Sequence, residues 1–129
     1  MDVFVYGTLT NPDRVASVVD SYVFVGPATL HGLHLVDGRY PTLAPGGEAG
    51  GRLLRTDETE RLDAYEDVDT GLYVRVSVPR TDGGTVAVYI GDPDRLDADA
   101  DWPGEAGFAD RVHDYVTRAD VAVEPLADL

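Results

Sequence analysis

Cysteine is absent from the 129 residues, and so is lysine. Without cysteine there is no disulfide, no thiolate metal site and no cysteine nucleophile. The glycine pairs Gly46-Gly47 and Gly50-Gly51 lack the Gly-Lys-Ser/Thr of a phosphate-binding P-loop, and they lack the helix context of a dinucleotide fingerprint. A Gly-x-Ser-x-Gly nucleophile elbow is missing as well, which argues against a serine hydrolase. No apolar run reaches the roughly 20 residues that a membrane-spanning helix needs, and no basic segment followed by an apolar one opens the chain. These absences predict a soluble, cytoplasmic protein with no membrane partner.

What is present is acid. Ten basic residues, all arginine, stand against 24 acidic ones, a net charge of −14. The isoelectric point is near 4.2. Such a surface repels phosphate backbones, so nucleic acid is not an expected partner. It also repels itself in dilute buffer. At about 1 M salt the Debye length shrinks to about 3 Å and the repulsion is screened, so the charge predicts a salt-adapted protein. Hydrophobic residues make up 43% and charged ones 26%, a globular balance. With no repeat, no linker and no shift in composition, residues 1–129 read as a single domain.

Asp2-Val3-Phe4-Val5-Tyr6 reads as a short buried strand stopped by Gly7. Asn11 is a helix cap and Pro12 suits the first helical position; Val15, Val18 and Val19 give this helix, running to about Asp20, an inward face. Strands are expected at Tyr22–Val25 and Ala28–Val36. Residues 37–51, rich in glycine and proline, read as a loop or pair of turns leading into Gly51–Arg55. Thr56 or Asp57 can cap a second helix reaching about Asp67. Leu72–Pro79 and Thr85–Ile90 read as strands joined by the hairpin signal Asp82-Gly83-Gly84. An Asp-rich stretch, Asp92–Asp101, precedes a third helix near Gly104–Arg118, and a short strand or tail closes the chain. The sum is an α+β domain, a small mixed β-barrel or strongly curved sheet with two or three flanking helices.

Two segments carry candidate chemistry. In Tyr6-Gly7-Thr8-Leu9, a strand ends in a glycine turn just before a helix, and backbone N–H groups without ladder partners can bind a carboxylate or an oxyanion. A plain strand-to-helix connection explains the same residues. In Leu62-Asp63-Ala64-Tyr65-Glu66-Asp67, the residues Leu62, Tyr65 and Glu66 share one helix face, which puts the Glu66 carboxylate on the apolar side and sends Asp63 and Asp67 towards solvent. Burial and the negative end of the helix dipole both raise its pKa towards that of a neutral-pH base. A rim glutamate paired with Arg75 or Arg52 is the alternative. His31 and His34, on opposite faces of a strand, and the distant His113 form no metal pattern, and Asp97-Ala98-Asp99-Ala100-Asp101 lacks the glycine and glutamate of a calcium loop. Trp102 offers one apolar surface point.

Taken in order, Tyr6-Gly7-Thr8-Leu9, Tyr40-Pro41-Thr42, Leu62-Asp63-Ala64-Tyr65-Glu66 and Leu72-Tyr73-Val74-Arg75-Val76 resemble the γ-glutamylcyclotransferase-like (AIG2-like) family over about Val3 to Tyr89. The resemblance implies a small mixed β-barrel with helices around it. It implies an enzyme that cyclises a γ-glutamyl group to 5-oxoproline and releases the attached amine, with a small γ-glutamyl compound as partner and neither metal nor organic cofactor. Glu66 matches the family's catalytic glutamate, Tyr6, Gly7, Thr8 and Leu9 its substrate-binding loop, Tyr73 and Arg75 a pattern that closes or orders the pocket, and Tyr40-Pro41 a cavity wall. Where the family has Glu-Gly, this chain has Glu66-Asp67. The competing functions are a non-catalytic module that binds a small molecule in the same fold, and a small amidase that releases glutamate.

Overall fold

The hub of the molecule is a four-residue strand, β1 (Asp2–Val5). In the computed structural model, which describes residues 1–126, β1 runs antiparallel to β3 (Thr42–Arg55) and parallel to β5 (Thr85–Gly91). The sheet extends through β2 (Val23–Val36) and β6 (Ala122–Pro125) on one side and β4 (Tyr73–Pro79) on the other, in the order β4-β5-β1-β3-β2-β6. It is curled into a half-barrel. Its two edges approach each other where Arg80 bridges to Val123 and the Thr81 amide donates to the Val123 carbonyl at 2.9 Å.

Both faces of the centre are covered, which is why β1 and β5 are near-continuous apolar runs and not alternating ones. Phe4, Val86, Val88 and Ile90 point into the curl with Leu30, Leu33, Leu53 and Trp102, closed by α4 (Phe108–Arg118) through Val112 and Val116. Val3, Val5, Ala87 and Tyr89 point to the other face, under Val15 of α1 (Pro12–Val18) and Val19 just past its end, Leu62 of α2 (Thr59–Tyr65) and Leu96 of α3 (Pro93–Leu96). Trp102 is thus a core residue, 2% exposed, in edge-on contact with Phe108 and Tyr115. It is not the surface point that its Asp-rich neighbours imply.

Residues 42–55, which take in residues 42–51 of the expected 37–51 loop, form a single fourteen-residue strand paired along β2. Gly51 serves close approach: a Cβ there would lie 2.3 Å from the Val5 carbonyl oxygen and 2.7 Å from Phe4 Cζ. Gly51→Ala is therefore expected to cost about 1–3 kcal/mol, read as a lower urea midpoint at an unchanged slope. Strand β2 likewise joins two expected strands into one, with register shifts at Phe24/Gly26 and His31/Leu33 that bend the sheet. The second shift buries both Leu30 and Leu33, so His31 and His34 share the outer face instead of opposing each other. His31 meets Glu124 at 2.8 Å, while His34 Nδ1 lies 3.0 Å from the Gly46 carbonyl.

The helices are shorter than expected. Asn11 caps α1 by accepting from the Asp13 amide at 2.9 Å, but the helix ends at Val18. Thr56 accepts from the Glu58 amide in a turn ahead of α2 and does not itself cap the helix. The third expected helix begins at Phe108, and α3 lies within the Asp-rich stretch, capped by the Asp92 side chain on the Asp94 amide. No described helix is long and apolar enough to cross a membrane.

Candidate active site

At the C-terminal end of β1 the chain turns through Gly7 into a single 3-10 turn, Thr8–Thr10. Its internal hydrogen bonds run from the Thr10 amide to the Gly7 carbonyl and from the Asn11 amide to the Thr8 carbonyl, both 3.1 Å. The first amides of such a turn have no partner within it, so those of Gly7, Thr8 and Leu9 are left to other acceptors. These residues line a cavity of about 410 Å³, within the usual range for small-molecule sites. Leu9, buried against the helical face of the sheet, fastens the turn.

Helix α2 delivers the acid. Leu62 is fully buried and fixes the helix roll, and Glu66, one turn later, caps its C-terminus with its amide on the Leu62 carbonyl at 2.9 Å. The Glu66 side chain lines the same cavity. Among the described residues it has neither an ion pair nor a hydrogen bond, because the arginines expected as its partners are engaged elsewhere. Arg75 holds Asp63 at 3.0 Å; Arg52 donates to the Thr10 carbonyl at 2.8 Å and stacks on Phe24. Burial first, and the neighbouring Asp67 carboxylate second, push the Glu66 pKa up to about 7.

Asp67 explains the departure from Glu-Gly. Its backbone is left-handed, φ 53° and ψ 46°, a conformation that glycine adopts freely and that aspartate and asparagine tolerate better than most residues. The turn out of the helix thus passes through a left-handed residue that also places a charge beside Glu66.

The opposite walls are phenolic. Tyr6 donates its hydroxyl to the Tyr89 carbonyl, and burial, then the neighbouring Tyr73 and Glu66, raise its pKa. Tyr73 donates to the Pro41 carbonyl at 2.8 Å and is likewise raised, chiefly by burial and then by Glu66. Both therefore stay protonated donors at neutral pH. Buried Thr42 ties the base of the Tyr40-Pro41 wall to β5, its hydroxyl accepting from the Gly91 amide at 2.8 Å. The cavity thus brings together Tyr6, Gly7, Thr8, Leu9, Tyr40, Glu66 and Tyr73, whereas Arg75 lies outside its lining. Arg75 grips Asp63, which in turn accepts from Tyr89 at 2.6 Å. Asp63 is accordingly a half-buried strut and does not point freely into solvent.

Three lining residues carry no signal in the sequence that marks them as such: Arg14, Tyr65 as a polar contact, and Tyr89. Tyr65 meets Thr8 Oγ1 at 2.9 Å, linking α2 to the loop. Tyr89 sits in a run of apolar residues with nothing local to separate wall from core. Arg14 comes just after a helix cap and looks like an ordinary surface residue.

Glu66 and the residues of the Gly7–Leu9 turn thus line one cavity at the end of β1 in a curled mixed sheet. The chain belongs to the gamma-glutamyl cyclotransferase, AIG2-like family, whose sequence profile matches residues 3–104. Among solved structures it is similar to a gamma-glutamyl cyclotransferase (22% identity, 70% of this chain and 66% of that one, TM-score 0.57). An uncharacterised protein from Homo sapiens gives 23% identity over the same shares, with a TM-score of 0.59. A protein from Arabidopsis thaliana is 32% identical over 91% of this chain and 86% of its own, with a TM-score of 0.53. The first two likenesses show the fold, and the chain spans 66% of the length of each. Among the curated proteins none matches.

Proposed function

We propose that the protein is a γ-glutamylcyclotransferase, converting a small γ-glutamyl compound into 5-oxoproline and a free amine. The observation that carries this reading is the unpaired Glu66 carboxylate, its pKa raised to about 7, in one cavity with the Gly7–Leu9 amides. The substrate's α-ammonium must lose a proton before its nitrogen can attack the γ-carbonyl carbon. Glu66 takes that proton, the new C–N bond closes the five-membered ring, and the carbonyl oxygen carries the charge of the tetrahedral intermediate. Glu66 then returns the proton to the departing nitrogen as the old C–N bond breaks, and the ring nitrogen sheds its second proton to the released amine, which leaves as an ammonium. A positioned acid–base of this kind contributes about 10²–10⁴ in rate.

The amides of Gly7, Thr8 and Leu9 bind negative charge, and a single well-aimed donor to an oxyanion is worth about 10²–10³. Tyr6 and Tyr73, held by the Tyr89 and Pro41 carbonyls, and Tyr40 shape the walls that keep the glutamyl chain folded with amine against carbonyl, an entropic gain. Arg75 acts at one remove, by holding the Asp63 strut beneath Tyr89.

Incubation with γ-glutamyl-alanine, a γ-glutamyl amine and glutathione is expected to yield 5-oxoproline from at least one of them. Free glutamate in place of 5-oxoproline would identify an amidase, and binding without any product a non-catalytic module.

A further inference from the structure

The arginines of this chain are in demand: ten face 24 carboxylates. Among the described residues, Arg14 and Arg39 are the two whose side chains form no ion pair, hydrogen bond or aromatic stack. Arg14 is the one of the pair that lines the cavity. Scarcity of anions does not explain its freedom. Nor does the helix, since Arg14 sits in the first turn of α1, at the end whose dipole disfavours a cation. The other charged groups in the lining, Glu66 and Asp67, are acids. Arg14 is therefore the one attractive charge for an anion there among the described residues.

Its depth says which part of a ligand it meets. Glu66 is mostly buried, and that burial is what raises its pKa; Arg14, Thr8 and Tyr65 are more open to solvent. The amine and the γ-carbonyl must reach Glu66, so the glutamyl half is the inner half, and the part beyond the scissile bond extends outward past Arg14. We infer that Arg14 binds an anionic group on the departing amine, so that the substrates are γ-glutamyl amino acids or peptides, whose released part ends in a carboxylate, in preference to uncharged γ-glutamyl amines. This rests on the cyclotransferase reading above.

γ-Glutamyl-alanine and γ-glutamyl-alaninamide differ in that one charge. The wild-type kcat/KM is expected to favour the acid by about tenfold, the scale of a charge-assisted hydrogen bond at a partly hydrated site. The ratio falls towards one in Arg14→Gln, is partly kept in Arg14→Lys, and shrinks in molar salt as the charges are screened. A wild-type ratio near one overturns the inference. So does an Arg14→Gln protein that loses both substrates alike, because Arg14 would then be holding the glutamyl α-carboxylate. If neither compound yields 5-oxoproline, nor does glutathione or another γ-glutamyl amine, the cyclotransferase reading fails, and calorimetric Kd values for the same pair still decide this point. Tighter binding of the acid by wild type but not by Arg14→Gln upholds it, and equal affinity or no binding overturns it.

Discussion

Glu66→Gln is expected to lower 5-oxoproline formation by two to four orders of magnitude, the usual worth of a general acid–base, and at the same time to stabilise the protein at pH 8. The two effects have one cause. A carboxyl whose pKa stands at 4.5 in a solvated setting and at about 7 in the fold binds its proton more tightly when folded. Its contribution to stability is complete below pH 4.5 and is lost as pH rises through about 7. Holding the charged form at pH 8 costs about 3 kcal/mol on that basis. Glutamine keeps the shape and carries no charge, so the variant gains a good part of that figure, less the cost of burying an amide. Urea midpoints for the two proteins should lie close together at pH 4 and separate by pH 8. Glu60→Gln, on the exposed side of the same helix, is the control and should change neither activity nor stability. Near-normal turnover in Glu66→Gln would remove Glu66 as the base and return the site to a binding role. Coincident stabilities at pH 8 would show that the carboxylate is hydrated after all.

How much of the fold and site is legible in the sequence depends on the range over which each signal acts. The β4–β5 hairpin, the Asn11 cap and the apolar face bearing Leu62 and Glu66 are local: a turn dipeptide, a capping side chain and a helical period announce them within ten residues. The fate of residues 42–55 is not local. Gly50 and Gly51 carry weak strand propensity, and they form strand because β2 pairs with them and β1 packs against Gly51 too closely for any side chain, while Gly46 and Gly47 take positive φ at the register shift opposite Gly32. Trp102 likewise looks exposed among aspartates and is buried because α4, arriving from further along the chain, covers it. The site divides in the same way. Glu66 and the Tyr6–Leu9 turn can be found from motif and spacing. Tyr89 cannot, because a cavity wall and a core strand demand the same residue types, and Arg75, assigned to the pocket by resemblance, instead lies outside the lining and holds Asp63. Only the fold brings Asp63, Arg75 and Tyr89 to one place.

kcat/KM is expected to fall about tenfold for each pH unit below 7, so that activity at pH 5 is about a hundredth of the plateau, because only the deprotonated Glu66 can accept the substrate's proton. Burial is the larger cause of the raised pKa and the Asp67 carboxylate the second, and the two can be separated. Asp67→Asn removes the neighbouring charge while keeping a side chain that tolerates the left-handed backbone at this position. The acid limb of the profile should therefore move to lower pH with little change in melting temperature. Salt offers an independent check, since Asp67 is more open to solvent than Glu66 and its repulsion is screened at molar ionic strength, whereas desolvation of Glu66 is not. The wild-type limb should then shift towards that of Asp67→Asn as salt is raised, and the variant's limb should stay where it is. If the limb lies at the same pH in both proteins, burial alone sets the acid, and the residue that replaces the family's glycine serves the turn and not the chemistry.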